Sequence, residues 1–280
     1  MTTVKALQLP IFLWRIWSRY GVADCLEALR RKWEFRRKNV DRKRGLLTLR
    51  DGVTFRVEPK SAITFRYFVD LDPDMWREMD TFLRQTEGRT RLLDVGAHFG
   101  IFSLAFAAVG GEVRALEPSD DAFPILSENV RLNPELKVRP IKQAVGDRAG
   151  RLAMHREGDH FVANDASVEA GGGIEVAVMT VDEFVTAEQF VPDAVKIDVE
   201  GFEVNVLEGA SSLLSQHSPV IFLEVHPEFI RRQGRSVDEL LSNMSSCGYC
   251  FFDSDEQLIA DPALFFKGPI RRVVCRKWVE

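Results

Sequence analysis

Residues 92–100, reading LLDVGAHFG, constrain this chain more than any other stretch. Leu92, Leu93 and Val95 surround Asp94 in a short apolar run that ends abruptly in small residues. A buried parallel strand looks like this where it turns tightly into a helix. Gly96 and Gly100 frame the turn, and a glycine there lets the backbone approach a ligand or take positive φ without a Cβ clash. Residues 101–109 (IFSLAFAAV) are then apolar nearly all round, which predicts a helix buried against a sheet. Strand, glycine turn and buried helix are the first unit of a nucleotide-binding α/β fold.

The spacing selects among nucleotides. A dinucleotide fingerprint, G-x-G-x-x-G, needs its second glycine to admit a pyrophosphate. His98 stands at that position, and an imidazole there argues against NAD or FAD and so against an NAD-dependent oxidoreductase. The form D-x-G-x-x-x-G, here Asp94, Gly96 and Gly100, resembles motif I of the S-adenosylmethionine (SAM) methyltransferases. That resemblance implies a loop, with His98 in it, that contacts the methionine part of the cofactor. A tight turn that binds nothing is the plain alternative.

Downstream, apolar strand patterns alternate with helical ones. Strands are predicted over residues 112–117, 138–145, 194–199 and 220–226, with helices over 120–132, 203–214 and 236–244. Further strands are predicted over 151–156 and 174–179, flanking a Gly-rich acidic loop over 158–173, with Thr180 capping a short helix. Residues 249–253 and 271–277 read as last strands, pairing antiparallel at the sheet edge. This alternation implies an α/β fold with a mostly parallel sheet and helices on both faces. Ligands of such sheets lie at the carboxyl ends of the strands.

The informative polar residues fall at those ends. Glu117 closes the second strand about 20 residues past the glycine turn, where an acidic side chain accepts hydrogen bonds from a ribose diol. The third strand ends in QAVGD, where small Ala144 and Val145 permit an adenine ring to lie on the backbone and Asp147 can accept from its amine. KIDVEG (residues 196–201) and VIFLEVHP (residues 220–227) place charge at the ends of two adjacent strands. Side chains alternate along a strand, so Glu224 and His226 share a face, and Asp198 and Glu200 share one likewise. Burying three carboxylates beside an imidazole is costly without a cation or a ligand.

DVGAHFG, ALEP, QAVGD, KIDVEGFEVNVLEGA and FLEVH, in that order, resemble the FkbM-type SAM-dependent methyltransferases. The resemblance covers residues 70–277 and implies a Rossmann-like class I methyltransferase fold with a seven-stranded sheet. It also implies SAM as methyl donor, S-adenosylhomocysteine (SAH) as product, and O-methylation of a sugar, glycolipid or polyketide hydroxyl. The family usually has Asn where His98 stands. For the chemistry, His226 is the candidate base, since its ordinary pKa lies near working pH. Glu224 or Asp198 would orient it, and Asp198 could instead hold the cofactor's amino group. The rival is a divalent cation on Asp198, Glu224 and His226. It is not the favoured arrangement, because Asp and Glu with one His suit Mg²⁺ or Mn²⁺ only moderately. A catalytically silent SAM-binding protein is the third reading, which the intact acidic strand ends oppose.

Composition sets the remaining bounds. The net charge of −5 over 280 residues gives no global pull toward nucleic acid; a small-molecule or glycan acceptor is the partner that the family resemblance implies. Cys25, Cys247, Cys250 and Cys275 are scattered, which suits a reducing, cytoplasmic setting. The CxxC of Cys247 and Cys250 lacks a second pair to complete a zinc site and reads as buried apolar residues. No stretch is long enough to span a membrane. Residues 1–50 form a distinct extension before a methyltransferase domain over 51–280. It holds an amphipathic helix over residues 10–33, a basic run over residues 30–44 and the start of a hairpin over 46–57. The basic run is either a solvated helix face or a patch for anionic membrane. Nothing in the sequence specifies an oligomeric state.

Overall fold

The computed structural model describes residues 40–41, 45–49, 52–58, 74–157, 160–163, 174–268 and 270–277. It divides into two compact units, Met1–Asp80 and Thr81–Glu280. The expected helix over residues 10–33 and the basic side chains of residues 30–44 lie outside the described residues. In the first unit, β1 (Val40–Asp41), β2 (Leu46–Thr48) and β3 (Thr54–Arg56) form an antiparallel sheet in that order. The predicted hairpin is present, with Gly52 at φ +77 in its turn, and it buries Leu47, Leu49, Phe55 and Val57. The hairpin straddles residue 50, and the observed division falls at Asp80, within α1 (Asp74–Gln85).

The second unit begins with β4 (Arg91–Val95), α2 (Ile101–Ala108), β5 (Glu112–Leu116), α3 (Phe123–Arg131) and β6 (Lys137–Ile141). Next come β7 (Ala144–Gly146), β8 (Gly150–Glu157), β9 (His160–Ala163) and β10 (Ile174–Thr180). The chain continues through α4 (Val181–Glu188), β11 (Ala194–Ile197), α5 (Glu203–Glu208), α6 (Ser211–Gln216) and β12 (Val220–Val225). It finishes with α7 (Pro227–Arg232), α8 (Val237–Ser246), β13 (Tyr249–Phe252), α9 (Pro262–Phe265) and β14 (Arg271–Lys277).

Seven strands form the main sheet in the order β13-β14-β12-β11-β4-β5-β6. All run parallel except β14, which pairs antiparallel with β12 and β13. On one face Leu93, Val95, Ile197, Leu223 and Val225 pack with Val204, Leu207, Leu213 and Leu240. On the other, the Phe82 ring meets Phe102 at 5.1 Å and Phe222 at 4.8 Å, both edge-on. Burying one such ring contributes about 1.5–3 kcal/mol.

Three predicted elements are cut differently. The third strand breaks after Ile141, because β5 stops before Glu117-Pro118 and leaves the later residues no ladder partner. β7 pairs instead with β10, in a second sheet ordered β7-β10-β8-β9. The helix expected over 203–214 splits into α5 and α6 at Gly209, where the chain crosses β7 closely. A Cβ at Gly209 would stand 1.9 Å from the Gly146 carbonyl oxygen. Part of the expected loop over 158–173 is strand β9, antiparallel to β8.

Candidate active site

The sheet changes direction between β4 and β11, so the crevice lies where the loops after these strands part. Gly96 (φ +79) and Gly100 (φ +78) take the left-handed conformation, and so does His98 (φ +51). Asn and His are among the few side chains that tolerate that region, which accounts physically for either one at position 98. A Cβ on Gly96 would lie 1.8 Å from the Asp198 carbonyl oxygen. Only glycine lets the β4 turn lie against the end of β11.

Glu117 fastens this turn to the next strand. Its Oε2 accepts from the His98 N–H at 2.8 Å and its Oε1 from the Ser119 N–H at 2.9 Å. The residue is 7% exposed. Burial pushes its carboxyl up to about 7, against the pull of these two N–H groups. Asp94 is fully buried beneath the turn and accepts from Ser103 Oγ of α2 at 2.6 Å. Its Oδ1 has no hydrogen-bond partner among the described residues. Burial raises the Asp94 pKa, which Lys196 opposes.

Across the crevice Asp198, Glu200, Glu224 and His226 come together, as the alternation predicted, and a fifth group joins them. His226 Nδ1 lies 2.6 Å from Glu203 Oε1. Its Nε2 lies 3.2 Å from Glu200 Oε2 and 3.8 Å from Glu224 Oε1. Glu203 opens α5, is fully buried, and also accepts from the Gly201 N–H at 3.0 Å. Gly201 (φ +99) permits this path, since a Cβ there would stand 2.4 Å from Phe229 Cβ. Burial would lower the His226 pKa, but the Glu203 hydrogen bond and the Glu203, Glu200 and Asp198 charges raise it to about 9. Burial opposes ionisation of Asp198, yet Lys196, at 3.1 Å, with His226 and Arg272, holds its carboxyl below the usual range. Arg272 faces Glu224 across the β12–β14 ladder, with contacts of 2.9 and 3.0 Å.

The adenine candidates stand differently. Ala144 and Val145 are buried in β7 and paired with Val178 and Met179 of β10. Asp147 already accepts from Asn205 Nδ2 at 3.0 Å on Oδ1 and from Arg148 at 3.2 Å on Oδ2. Sequence reasoning missed Glu203, Arg272 and Ser103. An acidic first residue of a helix reads as a solvated dipole partner, so nothing local marked Glu203 as buried. Arg272 becomes visible only through the strand register.

The fold and the crevice define a Rossmann-like class I methyltransferase. The Methyltransferase FkbM domain profile matches residues 94–251, and the chain belongs to that family of methyltransferases. The family implies SAM dependence in general. The chain is 28% identical over 202 residues to the hexuronic acid methyltransferase AglP of Haloferax volcanii, covering 68% of this chain and 82% of AglP. Among solved structures it is similar to methyltransferase FkbM from Methylobacillus flagellatus KT, with 14% identity and a TM-score of 0.48. That match covers 91% of this chain and spans 60% of the other protein's length. It is also similar to a precorrin-6y C5,15-methyltransferase from Geobacter metallireducens GS-15, with 12% identity, a TM-score of 0.43, and coverage of 71% and 87%. No described helix is long and apolar enough to cross a membrane.

Proposed function

We propose that the protein transfers a methyl group from SAM to a hydroxyl of a sugar, with a hexuronic acid or a glycan bearing one as the leading acceptor class. The carrying observation is the contact of the Gly96 turn with the end of β11. It brings the expected cofactor loop against Asp198, whose carboxylate lies within 4.8 Å of donor atoms on Glu224 and His226, and so supports a cofactor and an acceptor meeting there. The likeness to AglP supports the sugar class.

The residues present fit SAM. Glu117 keeps outer lone pairs for the ribose diol while two backbone N–H groups hold it in place. The Gly96–Gly100 turn, with His98, leaves the backbone bare for the methionine end. Asp94 supports that turn from below through Ser103. The adenine is kept beside Ala144 and Val145. Asp147, held by Asn205 and Arg148 with one partner on each oxygen, keeps lone pairs that can accept from the adenine amine. SAM supplies a methyl on a sulfonium that leaves readily. The chain therefore has to orient the acceptor oxygen and remove its proton as the S–CH₃ bond breaks and the O–CH₃ bond forms. The Asp198, Glu224 and His226 face does both in this reading, with the imidazole able to take the proton only in its neutral form, which its raised pKa of about 9 favours at alkaline rather than neutral pH.

The test is turnover of labelled SAM with uronic acid glycosides, neutral glycosides and no acceptor. Uronic acid glycosides are expected to be methylated. His226→Ala is expected to lose about 10²–10⁴-fold in turnover while still binding SAH. An unchanged rate in that variant would remove the cluster from the chemistry.

A further inference from the structure

Asp198, Glu224 and His226 each offer one donor atom, and the three atoms lie within 4.8 Å of one another. We propose that they form a binding site for a divalent first-row transition metal, of which Mn²⁺ is the working probe. Glu203 is the residue that positions the imidazole. This deepens the methyltransferase reading and rests on it for its chemistry: a cation held there would bind the acceptor hydroxyl and make it more acidic, with His226 its ligand in place of the base.

Geometry comes first. Donors to such a cation stand about 2.0–2.2 Å from it, so two on opposite sides are about 4 Å apart. The observed spread, within 4.8 Å, is less than an ångström wider than that. Two carboxylate oxygens and one imidazole nitrogen suit Mn²⁺, Fe²⁺, Co²⁺ or Zn²⁺ better than the all-oxygen shells of Mg²⁺ and Ca²⁺. His226 is held as a ligating histidine is held. Its Nδ1 is fixed by a carboxylate at 2.6 Å, which turns Nε2 toward the other donors.

Charge is the second argument. Asp198, Glu200, Glu203 and Glu224 surround one imidazole that is 2% exposed. Lys196 on Asp198 and Arg272 on Glu224 offset two of the four negative charges, and a protonated His226 offsets a third. A divalent cation that takes the place of that proton offsets both remaining charges and leaves His226 neutral as a ligand. The third observation stands apart from the donor set. Glu203 is fully buried, and its Oε2 has no hydrogen-bond partner among the described residues. A carboxylate so placed is costly unless a positive charge lies close by.

The experiment uses full-length protein stripped with EDTA and desalted, then titrated with MnCl₂. Free Mn²⁺ is read by electron paramagnetic resonance, and SAH binding to the same preparation by calorimetry. One Mn²⁺ per chain is expected. Glu203→Gln should weaken it by about 10–100-fold with SAH affinity unchanged, the scale for a lost outer-shell partner, and Asp198→Asn should weaken it further. Wild type that binds SAH but leaves Mn²⁺ free overturns the proposal, even if the variants fail to fold. Equal Mn²⁺ affinity in wild type, Asp198→Asn and Glu203→Gln overturns it too. Intact Mn²⁺ binding without SAH binding would instead sink the methyltransferase reading and leave the cation site standing.

Discussion

Glu117 is a carboxylate whose protonation the fold controls. Burial raises its pKa from 4.5 to about 7, with Asp94 and Asp198 adding to the rise and the His98 and Ser119 N–H groups opposing it. The ribose diol donates to an ionised carboxylate, so SAH affinity is expected to climb as pH rises through about 7. Glu117→Gln should flatten that climb and cost about 1–3 kcal/mol of binding at high pH, both read by calorimetry. Stability runs the other way. The raised pKa contributes stability that is present below 4.5 and is lost as pH rises through about 7. Urea midpoints for ligand-free wild type should therefore fall relative to Glu117→Gln across that window. Gly96 is the other decisive residue. Gly96→Ala combines an unfavourable φ with a Cβ driven into the Asp198 carbonyl, and a loss of about 2–5 kcal/mol in denaturant unfolding is expected.

Elements are delimited by their caps and by what they cross. Thr180 accepts from the Glu183 N–H while the Glu183 side chain reaches back to the Thr180 N–H, a complete capping box at the start of α4. Thr180→Ala is expected to cost about 1 kcal/mol, or about 2–4 °C in melting temperature for a unit of this size. The same helix entry anchors α6, since Asp182 accepts from the Ser212 and Leu213 N–H groups. Ser236 caps α8 in the same way, accepting from the Glu239 N–H. The cap at Thr180 was legible because capping chemistry is local. The break between α5 and α6 was not, because nothing in residues 203–214 announces that Gly209 must pass the Gly146 carbonyl.

At the scale of the molecule, the basic run of residues 30–44 poses the question of location. If it docks on anionic lipid, full-length protein should bind acidic vesicles at low salt and release as salt approaches about 0.5 M. Replacing its arginines with glutamine should abolish that binding and leave SAH affinity intact. Full-length protein that ignores acidic vesicles leaves a solvated face as the reading.

The chain by itself determined the order of strands and helices, the glycine turn, and the acidic strand ends that carry the candidate chemistry. Each is a local pattern: a period of apolar residues, a glycine where positive φ is needed, a charge where a buried run stops. It also marked the family, through motifs that are contiguous in the chain. Tertiary structure alone decided which of those charges meet. Glu203 reaches His226 because the loop after β11 folds back against Phe229. Arg272 reaches Glu224 because β14 inserts between β12 and β13. Asp147 is engaged because β7 leaves the main sheet and passes α5. Register and loop path set these contacts, and the free energy that selects them comes from packing between distant segments, which no local pattern of residues records.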